Sequence, residues 1–252
     1  MITVAHVYDY LNKQMPFSTQ EEWDNSGLLV GSPDKQVSKI AVMLDATPTN
    51  ITKAINNGVD LIVCHHPLIY HPIKNLPGDH PVYRLARNDI ALIAVHTPWD
   101  KAKDGVNFVL ANALSLERVE PIKTKECPDM LRMGYLSSPM SEEKFCSLIK
   151  QKIGIPFVKY VSTKENIRKV AVCGGAGADF IDEVARVADA FVTSDVKYHE
   201  FLHAADVGLT LIDAGHFTTE DMSMNAISVK LAMEFADAKV LRLKSVDPIS
   251  YR

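Results

Sequence analysis

Six residues carry the chemistry that this sequence suggests: His65, His66, His96, Asp100, His216 and Glu220. Imidazoles and carboxylates together bind borderline divalent cations, with ligand distances of ~2.0–2.2 Å. The spacing H-x-x-x-[D/E] occurs twice, as His96 to Asp100 and as His216 to Glu220, and each copy follows an apolar, strand-like run. His65 and His66 follow a third such run and precede Pro67. Five or six ligands exceed what one tetrahedral ion requires. Two ions ~3.5–4 Å apart, bridged by a carboxylate and a water, would use them all and would supply hydroxide near neutral pH. Neighbours on an extended strand face opposite ways, so His65 and His66 serve one ion only if the strand has ended before them; otherwise they address two. If Thr218 or Thr219 opens the following helix, His216 lies just before it and Glu220 in its first turn, where a carboxylate suits the helix dipole.

These residues need a scaffold that gathers strand ends. Residues 3–15 place Val4, Val7, Tyr8, Leu11 and Met15 at helical spacing, with Thr3 as N-cap. Strands are expected at 40–44, 60–64 and 91–95, and helices at 51–57 (stopped by Gly58), near 81–87 and at 105–114. The second half repeats the order. KIAVMLDATPTNITKAINNGVDLIVCHHP aligns with KVAVCGGAGADFIDEVARVADAFVTSDVKYHE, and the run at 91–95 with its His96 and Asp100 matches 209–213 with His216 and Glu220, followed by a helix at 223–235. Between the copies a connecting stretch carries a strand at 133–136 and a helix at 141–153 capped by Ser141. The expected fold is α/β: duplicated strand-helix units with mixed sheets, in two intertwined related halves, 1–120 and 121–252. Ligands in such sheets gather outside the carboxyl ends of the strands. His65, His66 and Asp100 then belong to one half and His216 and Glu220 to the other, which predicts a metal site at the seam.

Composition narrows the function classes. The 252 residues are 47% apolar with a net charge of −4, and acidic and basic residues are scattered, so a nucleic-acid partner is not indicated. No stretch approaches the ~20 apolar residues of a membrane helix and no signal peptide is evident, which predicts a cytoplasmic protein without a membrane partner. Cys64, Cys127, Cys146 and Cys173 form no C-x-x-C pair, which argues against a zinc-thiolate site or a disulfide framework; Cys64 and Cys173 are expected as buried small hydrophobes. His71, His80, His199 and His203 lack comparable placement. The run Cys173-Gly174-Gly175-Ala176-Gly177 matches neither a Walker nor a Rossmann fingerprint and is read as a sharp turn with tight packing.

Five segments, EEWDNSGLLVG, VCHHPLIY, VHTPWD, VTSDVKYHE and DAGHFTTE, in this order over most of the chain, resemble the GTP cyclohydrolase 1 type 2 homologue family, also called Nif-three-like or NGG-one-interacting-factor-like. The resemblance implies a Nif-three-like fold, a dinuclear centre of two divalent metal ions and a ring-like homohexamer; the carboxylate and imidazole donors suit Zn, Fe, Mn, Co or Ni. By position, His65, His66, Asp100, His216 and Glu220 are the implied metal ligands, with Glu220 the bridge. Two departures stand out. Pro98-Trp99 replaces the Asn-Leu common in relatives, and the match around His199 is looser. The extra domain that longer members insert between the halves is not expected within these 252 residues.

Two functions compete on these grounds. One is a metal-dependent hydrolase acting on a nucleotide or related small molecule, with Glu220 bridging the metals and His96 beside them as candidate catalytic groups. The other is a non-catalytic metal-binding or regulatory interaction protein, favoured by the family's link to a transcription adaptor and by the lack of an obvious general acid, a role open to His96 or Asp45.

Overall fold

Helix α1 (Val4–Gln14) forms where the apolar spacing predicts it, with Val4, Val7 and Leu11 buried along one face. Thr3 caps it: the His6 amide donates to the Thr3 hydroxyl at 3.4 Å, and the Thr3 amide donates to His6 Nδ1 at 3.0 Å. This computed structural model describes residues 1–124 and 129–250, so Cys127 lies outside the described residues. The chain continues through β1 (Gly27–Val30), β2 (Lys39–Met43), α2 (Pro48–Asn56), β3 (Leu61–Cys64), α3 (Pro81–Arg87), β4 (Ala91–Ala94), α4 (His96–Lys101) and α5 (Val106–Ala113). Then come β5 (Glu117–Ile122), β6 (Leu131–Met140), α6 (Glu142–Ile153), β7 (Lys159–Val161), β8 (Ile167–Ala176), α7 (Ile181–Ala185) and β9 (Ala190–Ser194). Helix α8 (Tyr198–Asp206), β10 (Thr210–Asp213), α9 (His216–Asp221), α10 (Met224–Glu234) and β11 (Lys239–Arg242) complete it.

Two compact units result. The first comprises Met1–Trp99 and Met224–Val246, the second Asp100–Ser223 with the residues from Asp247. In the first, a five-stranded sheet has the order β1-β4-β3-β2-β11; its strands are parallel except β1, which pairs antiparallel with β4. In the second, a six-stranded sheet has the order β5-β6-β8-β9-β10-β7, with β8, β9 and β10 parallel and the rest antiparallel. The mixed α/β fold expected from sequence is therefore present, in two mixed sheets.

The internal repeat extends to single hydrogen bonds. Asp60 Oδ2 accepts from the amides of Ser38 (2.8 Å) and Lys39 (2.9 Å) at the start of β2. Asp189 Oδ2 accepts from the amides of Arg168 (3.0 Å) and Lys169 (2.8 Å) near the start of β8. In each copy three parallel strands are flanked by an antiparallel edge strand, β1 on β4 and β7 on β10. The strands are buried on both faces, so alternate residues enter different cores. From β8 and β9, Val170, Val172 and Val192 pack with Leu110, Phe145 and Ile149, while Ala171, Cys173 and Phe191 pack with Val184, Ala204 and Leu209.

Several sequence expectations change in detail. Ser141 occupies the N-cap position of α6, but its side chain makes no capping hydrogen bond. Cys64, Cys146 and Cys173 are free and buried, and burial raises the thiol pKa of Cys146 to about 11, as inert structural cysteines require. Among the described residues no helix is long and apolar enough to cross a membrane.

Candidate metal centre

In the first unit the site starts where β3 stops. The strand ends at Cys64, and the amides of His65 and His66 both donate to the carbonyl of Leu44, at 3.1 and 3.2 Å. With the pleat ended, the two imidazoles lie on a common side, ring centroids 4.9 Å apart. His96, the first residue of α4, joins them: ligand atoms of His65, His66 and His96 all lie within 4.8 Å of one another. His65 is fully buried and His66 half-buried.

Carboxylates aim these rings. Asp45 Oδ1 lies 2.7 Å from Nδ1 of His66, and Asp24 Oδ1 lies 2.9 Å from Nδ1 of His96. A carboxylate only accepts, so the hydrogen sits on Nδ1 and Nε2 is turned to the other side of the ring, the arrangement that second carboxylates impose on metal-binding histidines. Burial by itself would raise the pKa of Asp24, but hydrogen bonds from His96, Thr97 and Ser26 hold it far below the ordinary carboxylate value. Asp24 therefore stays a carboxylate and a permanent acceptor.

The second unit offers Asp100, His216 and Glu220. Asp100 lies four residues after His96 in α4 and is 7% exposed. Its carbonyl is held by Asn107, a fully buried amide that also donates to the Met130 carbonyl at 2.6 Å and accepts from the Gly174 amide at 2.6 Å. Helix α9 begins at His216 itself, with Gly215 as N-cap at φ 81°. Glu220 is thus its fifth residue, not a first-turn residue, and the helix-dipole argument gives way to a geometric one: residues four apart share a face. Nε2 of His216 is 3.0 Å from Glu220 Oε2, and Nδ1 is 2.7 Å from Asp195 Oδ2. Burial opposes a charge on His216, but the hydrogen bond and charge of Glu220, then those of Asp195, overcome it and raise the pKa to about 9. The His216 ring thus lies between two carboxylates.

Gly175 makes room for this pair. Its φ is +64°, and a Cβ built there would stand 2.1 Å from Glu220 Oε1. Its amide donates to Thr219 at 3.1 Å, and its carbonyl accepts from Thr193 and Ser194 at 3.0 and 2.6 Å. The glycine run is not the sharp turn expected from its composition: Cys173 to Ala176 continue β8, with a register shift against β9 between Val172 and Ala176, while the tight packing is present at Gly174, Gly175 and Gly177. A cavity of about 150 Å³, lined by Phe157, Lys159, Asp195, Asp213, Gly215 and His216, opens beside the pair. Pockets for drug-sized ligands run to roughly 300–1,000 Å³, so this one suits only a small group.

A model of the family Duf34/NIF3 (NGG1p interacting factor 3) matches residues 2–248. The chain belongs to the DUF34/NIF3 family. It is 32% identical over 222 residues to the GTP cyclohydrolase 1 type 2 homolog of Campylobacter jejuni, covering 86% of this chain and 87% of the relative. It is likewise 32% identical over 225 residues to the GTP cyclohydrolase 1 type 2 of Helicobacter pylori, covering 87% and 88%. Among solved structures it resembles the Staphylococcus aureus hypothetical protein SA1388, with a TM-score of 0.91, 28% identity and 99% coverage of both chains. Reduced HcgD from Methanocaldococcus jannaschii matches with a TM-score of 0.84 and 30% identity, over 96% of this chain and 98% of that one.

The family membership anticipated from the five segments is thus shown. Sequence reasoning missed the carboxylates that aim the imidazoles. A usable signal existed for two of them: Asp45 precedes His66 by 21 residues and Asp195 precedes His216 by 21. Each interval is one parallel βαβ unit, which sets the ends of neighbouring strands side by side. Asp45 and His96, considered as general acids, are both engaged in these pairs. Of the histidines set aside, His80 caps α3 by accepting from the Val82 amide at 3.2 Å, and His203 pairs with Asp182 at 2.7 Å. Trp99 is fully buried.

Proposed function

We propose that this protein holds two divalent metal ions through His65, His66, Asp100, His216 and Glu220, Glu220 bridging them, and that it is a metal-dependent hydrolase of a nucleotide or a related small molecule. The observation that carries the proposal is the pairing of His66 and His216 through Nδ1 with Asp45 and Asp195, each at 2.7 Å. That arrangement prepares Nε2 for a cation, and the mixed imidazole and carboxylate set fits zinc, iron, manganese, cobalt or nickel. Bound ions of this kind lower the pKa of a coordinated water to about 7 and so supply a nucleophile at neutral pH. The protein's own contribution is to orient the imidazoles, to keep Asp24 an acceptor, and to hold Glu220 against Gly175. The nucleotide class rests on the names of the Campylobacter and Helicobacter relatives.

To test it, purified metal-loaded protein is given a panel of nucleotides and phosphoesters. Turnover that disappears in Glu220→Ala supports the proposal; no turnover, or turnover unchanged in that variant, sinks the enzyme reading. The engagement of both Asp45 and His96 by neighbouring side chains favours a second reading, a non-catalytic metal-binding protein that acts through partners. Bound metal without turnover across the panel is its expected result. We further propose the ring-like homohexamer and a cytoplasmic location implied by the family, the former checked by mass measurement in solution.

A further inference from the structure

Two large aromatic rings remain open to solvent beside the three-histidine cluster of the first unit. Trp23 is 59% exposed and Tyr70 is 43% exposed. Their rings are nearly parallel, 11° apart, with centroids separated by 6.4 Å. The two rings are stacked with their centroids well apart, and the exposure of both residues leaves ring surface accessible on each. A polar crosslink joins their segments: the Asn25 side-chain amide donates to the Ile69 carbonyl at 2.7 Å, tying a residue two positions after Trp23 to the residue before Tyr70. The pair is also joined to the cluster. The Tyr70 hydroxyl lies 3.2 Å from Nδ1 of His96, and the Trp23 ring meets the His96 ring edge-on, centroids 5.5 Å apart.

We infer that Trp23 and Tyr70 form a stacking platform for a planar heteroaromatic ring, the base of a nucleotide presented to the histidine cluster. This rests on the nucleotide reading above and deepens it. Exposed indole and phenol faces are costly to leave in water, and every nucleobase has a π-face that covers them without requiring a particular hydrogen-bond pattern. The platform is organised before binding, because the Asn25 crosslink and the His96 contacts set the ring orientations in advance. Other large exposed apolar residues of this region, Ile73 and Leu76, are aliphatic and offer no such face.

The chain has two tryptophans, and Trp99 is fully buried, so solvent-sensitive emission reports Trp23. Full-length protein is titrated with guanosine 5′-monophosphate and, separately, with ribose 5-phosphate, each with and without a chelator. The expected result is saturable quenching by the nucleotide alone. Binding measured by calorimetry should weaken roughly ten-fold or more in Trp23→Leu and in Tyr70→Leu, and persist in Trp23→Phe and Tyr70→Phe. Trp23 is exposed, so unchanged circular dichroism and metal content in its variants separate lost stacking from lost fold. Equal affinity for the two ligands, or unchanged nucleotide binding in Trp23→Leu, overturns the platform. So does an emission shift produced by raising protein concentration alone, which would mean that a second copy covers Trp23. Metal content and turnover are read independently, so a protein that binds the nucleotide without hydrolysing it defeats the hydrolase and leaves the platform standing.

Discussion

Adding one methyl group at Gly175 tests how the second unit prepares Glu220. Two costs follow from the structure. At φ +64° an L-residue pays roughly 1–2 kcal/mol of backbone strain. The new Cβ would also stand 2.1 Å from Glu220 Oε1, whereas ordinary contact begins at 3.4 Å, so the carboxylate must retreat by 3.4 − 2.1 = 1.3 Å. Glu220 is only 4% exposed, so the retreat displaces neighbours as well. Metal–oxygen bonds tolerate deviations of about 0.2 Å, so such a shift removes a ligand. Gly154 supplies the control: its φ is +73°, yet a Cβ there meets nothing within 4 Å. Gly175→Ala and Gly154→Ala should both lower the melting temperature of chelated protein by a few degrees. Only Gly175→Ala should reduce bound metal, measured by elemental analysis and competition with a chromophoric chelator, with affinity falling about ten-fold or more. Wild-type metal content and affinity in Gly175→Ala, or equal metal loss in Gly154→Ala, would refute the reasoning.

Three further outcomes are expected. Asp45→Asn and Asp195→Asn should each weaken metal binding by roughly 10–100-fold while leaving the fold intact by circular dichroism; unchanged affinity would show that the carboxylates do not aim the rings. For Asp60, burial raises the pKa but the hydrogen bonds from Ser38 and Lys39 outweigh it, so the folded value is lowered. Its stabilisation is then present above the unfolded value near 3.8 and lost as pH falls through the lower folded value, so melting temperature should fall less steeply with acid below about pH 4 in Asp60→Asn than in wild type. Asn107→Ala would leave the Gly174 amide and the Met130 and Asp100 carbonyls without this partner in a buried place, and should cost at least about 2 kcal/mol in urea unfolding.

Much of the scaffold was legible because its signals are local. The runs Leu61 to Cys64 and Ala91 to Ala94 are apolar throughout, as strands buried on both faces must be, and Gly58 and Gly154 mark helix ends. Edge and late strands were harder. Residues of β5, β7 and β11 are partly exposed and mixed in polarity, and only pairing with a neighbour defines them. For β11 that neighbour is β2, some 200 residues earlier, with Lys239 opposite Lys39.

The sequence by itself determined the family and the candidate ligands, because paired histidines after a strand and two H-x-x-x-[D/E] spacings are short-range patterns that a strand end or one helical turn converts into geometry. Tertiary structure alone decided which groups aim them. Asp24 reaches His96 across 72 residues of sequence, and an aspartate in a loop carries no mark of the imidazole it will meet. It also decided that Gly175 is a space for Glu220, since the close approach exists only once α9 packs against the end of β8. The exposed parallel rings of Trp23 and Tyr70 belong to the same class: their residue types are visible in sequence, but the angle between them is a property of the fold.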